Sequence, residues 1–197
     1  MTATATRKLP PITVDKFLNS TDRLGPGKHI LVDGVIHAMA PASPTHGLIQ
    51  AKLARLIGNH LAENKMPYRV MSEAGVKPRV RSKTNVRVPD LLVSCGPSPG
   101  PDDRLVDEPL ITIEVLSPSN DDLTDASIMA CATIPSVMEM LVVDSVRLVV
   151  EIWKCDLAGA WPSEPDTISA GGTIRLDAIG LELSLTDIYA DTHLSST

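Results

Sequence analysis

Two stretches of strand-forming residues constrain this chain most: Val88-Pro89-Asp90-Leu91-Leu92-Val93 and Ile111-Thr112-Ile113-Glu114-Val115-Leu116. Each is apolar enough to lie inside a sheet, and each is interrupted by a single carboxylate. A charge in such a place is costly unless it is paired or holds a metal ion. Side chains alternate along a strand, so Val88, Asp90 and Leu92 share one face, as do Thr112, Glu114 and Leu116. If the two strands are neighbours, both acids converge on one spot. Two carboxylates about 4–5 Å apart repel by roughly 3–4 kcal/mol at an effective dielectric near 20. Such a pair shares a proton or binds a divalent cation, and oxygen ligands suit Mg²⁺ or Mn²⁺. The plainer alternative leaves Asp90 solvated near a strand end and Glu114 paired with an arginine. Between Glu114 and Arg147, however, there is no Lys or Arg.

The rest of the chain frames these strands. Residues 1–10 read as an N-terminal arm, 11–191 as a single domain and 192–197 as a tail. Thr13 caps a short helix to Asn19. A hairpin follows, with strands at 29–32 and 35–40 joined across Asp33-Gly34, a type I′ turn sequence. Ser43-Pro44 opens the longest helix, to about Asn64, in which Ile49, Leu53, Leu56, Ile57 and Leu61 repeat on one buried face. Strands are expected at 68–71, 75–81 and 86–94, the last two joined by a turn at 82–85, and again at 110–116. A helix spans 121–133, its acidic start (Asp121, Asp122, Asp125) complementing its dipole. Strands at 138–143 and 148–154 follow, then a long loop at 157–172, edge strands at 173–176 and 181–183, and a helical turn capped by Thr186. This order describes a mixed-sheet α/β or α+β domain with an N-terminal hairpin.

Composition narrows the function classes. A formal net charge of −6 excludes a diffuse nucleic-acid binder, so any nucleic-acid contact needs a local basic patch. Cys95, Cys131 and Cys155 are odd in number and widely scattered, as expected of reduced thiols in a cytoplasmic protein. His29, His37, His60 and His193 lack zinc-ligand spacing. No apolar run reaches membrane length. Trp153 and Trp161 read as core or dimer-contact anchors.

The segments Arg87-Val88-Pro89-Asp90-Leu91-Leu92-Val93 and Ile113-Glu114-Val115-Leu116-Ser117-Pro118-Ser119-Asn120, in this order, resemble the Uma-type restriction endonucleases of the PD-(D/E)XK nuclease superfamily. Leu31-Val32-Asp33-Gly34, Ala40-Pro41-Ala42-Ser43-Pro44-Thr45-His46-Gly47, Ile134-Pro135-Ser136-Val137 and Leu141-Val142-Val143-Asp144 extend the resemblance from about Ile12 to Tyr189. It implies a restriction-endonuclease-like core, often dimeric. It also implies Asp90 and Glu114 as catalytic metal ligands, with the Val115 carbonyl as a third. The implied chemistry is Mg²⁺- or Mn²⁺-dependent phosphodiester hydrolysis in DNA by a homodimer.

The chain departs from that pattern at its cation. The superfamily lysine would stand at Leu116, and the lysine that Uma-type members carry on the following helix falls near Ser127 or Ile128. A glutamate common in the first hairpin is replaced by Ile30. Lys83 and Lys154 are the conceivable substitutes for the missing lysine. Without one, a catalytically degraded relative that serves as a binding or interaction module is the rival reading. Lys77, Arg79, Arg81 and Lys83 alternate along an expected strand. They form either a phosphate-contacting stripe or a solvated, charge-guarded edge. His46, in the first turn of the long helix, is placed either against a phosphate or metal-bound water, or simply at a helix cap or the exposed surface.

Overall fold

The computed structural model describes residues 10–117 and 122–196. Residues 1–9 of the arm expected at 1–10, the segment Pro118-Ser119-Asn120-Asp121 and Thr197 lie outside the described residues.

The chain begins with α1 (Val14–Leu18), whose Lys16 N–H donates to the capping Thr13 Oγ1. The antiparallel hairpin β1 (His29–Val32) and β2 (Val35–Ala38) follows. Asp33 and Gly34 both take positive φ, 51° and 81°, as a type I′ turn demands. A Cβ on Gly34 would stand 2.3 Å from Pro11 Cβ, so this position needs glycine for room as well as conformation.

Helix α2 (Pro44–Glu63) starts at Ser43, whose hydroxyl accepts the His46 N–H, and carries Pro44 in its first turn. Then come β3 (Arg69–Ser72), β4 (Leu91–Ser94), β5 (Pro109–Leu116), α3 (Asp122–Cys131), β6 (Glu139–Asp144), β7 (Val149–Lys154) and β8 (Asp166–Ser169). The six strands form one mixed sheet in chain order. Only β5 and β6 run parallel, as the intervening α3 crossover requires.

The sheet has two apolar faces. Leu91, Val93, Ile111, Ile113 and Val115 pack with Ile49, Leu53, Ile57 and Leu61 of α2. Leu92, Met140 and Val142 pack on the opposite face with Ile128 and Cys131 of α3. Trp153 and Trp161 border this second layer as partly buried anchors. A separate hairpin, β9 (Thr173–Leu176) with β10 (Leu181–Ser184), adds Ile174, Leu176, Leu181 and Leu183 to the α2 layer. Helix α4 (Leu185–Ile188) then brings Tyr189 into that core. Residues 193–196 form a 3-10 turn, and Leu194 reaches the same core although the stretch reads as a tail in sequence.

Five local expectations are corrected. Residues 75–81 form no strand: Val76 makes single bridges to Arg87 and Val106, Pro78 offers no N–H, and Arg81 turns through φ 46°. The Arg79 and Val80 N–H groups donate instead to Thr133 Oγ1, at 3.0 and 3.3 Å. The expected strand at 86–94 shortens to Leu91–Ser94, with only bridges at Val86 and Arg87. The loop at 157–172 contains β8, and the segments read as edge strands pair with each other outside the main sheet. Ser184, not Thr186, caps the last helix. Among the described residues, no helix is long and apolar enough to cross a membrane.

Candidate functional site

Strand register brings the two acids together. In the antiparallel β4–β5 pair, Leu91 faces Ile113 and Leu92 faces Thr112. One step beyond, at the mouth of β4, Asp90 stands opposite Glu114. Leu91, Ile113 and Val115 all join the α2 layer, so alternation turns Asp90 and Glu114 to the α3 side.

The Asp90 carboxylate is buried and both its oxygens have partners. Its Oδ1 lies 2.7 Å from Lys28 Nζ. Its Oδ2 accepts the Val115 N–H at 2.8 Å and lies 3.3 Å from His46 Nε2. The main chain is pinned as well, since the Asp90 carbonyl accepts Gln50 Nε2 at 2.9 Å and the Glu73 N–H at 3.1 Å. His46 Nδ1 sits 3.1 Å from Ser117 Oγ, so the ring bridges Asp90 to the residue following β5. His46 is therefore a buried member of the site rather than a simple cap residue.

The ionisations of the two acids diverge. Burial pushes Asp90 up, but the His46 hydrogen bond, the Lys28 ammonium and the Val115 N–H outweigh it and hold the carboxyl at about 2. Burial pushes Glu114 up, Lys28 opposes this, and the Asp90 charge adds to it, leaving Glu114 at about 8. Burial lowers Lys28, but the Glu114 and Asp90 charges outweigh it and raise the ammonium. At neutral pH, Asp90 and Lys28 form a charge pair and Glu114 keeps its proton. Beside Glu114 lies a small cleft of about 20 Å³, room for a single water or ion. Lys28, Ile30, Met39, Val88, Glu114 and Ser127 line it.

A pH dependence follows from Glu114. Its folded value lies above the ordinary 4.5, so between about pH 4.5 and 8 the folded chain holds a proton that the unfolded chain has released. Stability contributed by this group falls as pH rises through that window. Glu114→Gln removes the penalty while keeping a donor toward Asp90. The variant is expected to match wild type near pH 4.5 and to exceed it by on the order of 3 kcal/mol at pH 8–9, read by urea unfolding across pH. A constant difference across that range would refute the assignment.

The remaining sequence candidates do not join the site. Lys77, Arg79 and Lys83 are exposed, and Arg81 pairs with Asp33 at the hairpin turn. Because 75–81 is not a strand, these cations do not share a strand face, and among the described residues none forms an ion pair with Asp90 or Glu114. Lys154 pairs with Asp177 and Glu139. The cation on the acids is Lys28, a lone lysine after Gly27 whose distance of 62 residues from Asp90 left no local signal. Gln50 was equally hidden, although it falls one turn after His46 on α2.

The chain is similar to known proteins over most of its length. A sequence model of the Uma2 family, described as "Putative restriction endonuclease", matches residues 14–186. A Synechocystis protein described as uncharacterized, slr1290, is 25% identical over 181 residues, covering 91% of this chain and 92% of its own. A crystal structure from Anabaena variabilis, titled a putative nuclease belonging to DUF820, superposes with a TM-score of 0.71 at 19% identity. That match covers 91% of this chain and 98% of the other and shows a shared fold.

Proposed function

Because the chain belongs to the Uma2 family of restriction-endonuclease-like proteins, we propose that it hydrolyses phosphodiester bonds in DNA, using Mg²⁺ or Mn²⁺ held at Asp90 and Glu114. The observation that supports this reading best is the register of β4 and β5, which sets Asp90 opposite Glu114, the acid that lines the cleft, and drives their ionisations apart.

Among the described residues no three His, Cys, Asp or Glu side chains gather as a metal site, so the donors such an ion would use are the two carboxylates and a backbone carbonyl. Both side chains offer hard oxygens, the Val115 carbonyl lies on the same strand as Glu114, and the cleft admits a body of ionic size. Glu114 must first give up its proton. A divalent cation held by Asp90 and Glu114 would take the place of that proton, so its uptake would strengthen as pH rises toward 8. When bound, such an ion would supply neutralisation of charge developing on the phosphate oxygens and a lowered pKa for the attacking water. The chain's own part is positional. The Val115 N–H and His46 fix the Asp90 carboxylate, Gln50 and Glu73 fix its backbone, and Ser117 fixes the His46 ring.

Purified protein with Mn²⁺ is expected to nick or linearise plasmid DNA, and Asp90→Asn is expected not to. Intact plasmid with wild type, or equal cutting by the variant, would end the enzymatic reading. One observation favours a second reading: Leu116 stands where the superfamily lysine would be, and Ser127 lines the cleft from α3 with no cation. On that reading the protein binds DNA without cutting it, and duplex binding in the absence of turnover would favour it. A two-fold dimer would give one site per strand of the duplex, and light scattering would report twice the chain mass.

A further inference from the structure

We propose that Lys28 supplies the working cation of this site, delivered from the N-terminal hairpin, and that its ammonium receives a phosphate oxygen of the nucleic acid. This rests on the nuclease reading and deepens it. Three observations carry it. Lys28 Nζ lies 2.7 Å from Asp90 Oδ1 and lines the cleft that Glu114 borders. Several other basic side chains are committed elsewhere, Arg81 to Asp33, Lys52 to Asp191, Arg147 to Asp144 and Lys154 to Asp177, and among the described residues the exposed Lys77, Arg79 and Lys83 make no ion pair with either acid. Arg87 is turned onto the Leu31 carbonyl and Asn85. The Lys28 backbone is fixed, because its carbonyl accepts the Met39 N–H at 2.9 Å across the hairpin.

A lysine ammonium is a compact charge with three donors on a four-carbon stem. Asp90 takes one donor. A phosphate oxygen at the mouth of the cleft is a suitable acceptor for another. Ser127 faces the same cleft from α3, so a cation placed there would reach the same space from the opposite wall.

The test uses the full chain with three variants. Lys28→Met keeps the apolar stem and removes the charge. It is expected to lower the cleavage rate in Mn²⁺ by about 10²–10³-fold, while Mn²⁺ affinity by calorimetry stays within about threefold of wild type. The double variant Lys28→Ala with Ser127→Lys is expected to recover at least about tenfold of that loss, which a purely structural lysine would not allow. Lys28→Arg, which keeps the charge, controls for folding and is expected to retain more activity than Lys28→Met.

Undiminished cleavage by Lys28→Met overturns the proposal. So does Mn²⁺ binding tightened by about tenfold or more, which would mark Lys28 as a plug in the metal position. Inert wild-type protein would instead fail the nuclease reading, and Lys28 is then judged by duplex DNA binding with Ca²⁺. Lys28→Met should then bind several-fold more weakly, with a salt dependence shallower by about one counterion. Unchanged binding overturns the proposal in that case too.

Discussion

Asp90→Asn is expected to reduce DNA cleavage by about 10³-fold or more, equivalent to about 4 kcal/mol of barrier. The substitution is nearly isosteric, and its side-chain oxygen can still accept the Val115 N–H. What it removes is the carboxylate of the pair that stays ionised at every working pH, near 2. The neighbouring groups then rearrange their charges. Without the Asp90 charge, Glu114 loses a cause of its raised ionisation, and Lys28 loses its 2.7 Å partner. Glu114 is therefore expected to titrate closer to its ordinary value in the variant and to take Lys28 as its counter-ion. Such exchange leaves a neutralised, metal-poor site in a folded protein. The losses from Asp90→Asn and Glu114→Gln should accordingly be far from additive, since either one dismantles the same ion site. Single-turnover cleavage of a labelled duplex gives the rates, and circular dichroism confirms that each variant is folded. A double variant showing the product of the two single losses would count against a shared ion.

The second large effect concerns stability. Tyr189→Ala is expected to destabilise the fold by about 3–5 kcal/mol, the usual range for an aromatic removed from a closed core. Tyr189 is fully buried among Leu185, Ile188 and the α2 layer. Its hydroxyl reaches the carbonyls of Asp144 and Val149, each at 2.8 Å, which ties α4 to the turn between β6 and β7. Burial and the Asp144 charge keep that phenol protonated, pushed up beyond the ordinary tyrosine range. Tyr189→Phe keeps the ring and loses only the hydroxyl, so about 1–2 kcal/mol is expected. Urea unfolding separates the two, and for a chain of this size 4 kcal/mol lowers Tm by about 8–16 °C. Equal losses for both variants would place the energy in the hydrogen bonds rather than in packing.

Much of the frame could be read from local pattern. The 3.6-residue spacing of Ile49, Leu53, Ile57 and Leu61 reports the buried face of α2, because a helix packed on a sheet has no other way to hide apolar surface. Asp33-Gly34 reports the hairpin because few residues accept positive φ twice in succession. The acids could be read because alternation and antiparallel register are local rules, and both hold through Leu91 and Ile113. What escaped depends on distant partners. Lys77, Pro78, Arg79 and Val80 carry a strand-like alternation, yet Thr133, at the end of α3, captures two of their N–H groups. Asp166–Ser169 lies in a stretch rich in Pro and Gly, and it becomes a strand because β7 offers an open edge. Lys28 follows a Gly-Pro-Gly break with nothing around it to mark its role. Only the closing of the hairpin against the mouth of β4 places its ammonium on Asp90.

The central claim is that Asp90 and Glu114 together hold one divalent cation, and Mn²⁺ calorimetry tests it most directly. Wild-type protein is expected to bind one Mn²⁺ per chain, releasing a proton near pH 7 and binding more tightly at pH 9 as Glu114 ionises. Asp90→Asn and Glu114→Gln are each expected to abolish that binding. Undiminished Mn²⁺ uptake by either variant, or no uptake by wild type at pH 9, would contradict the account.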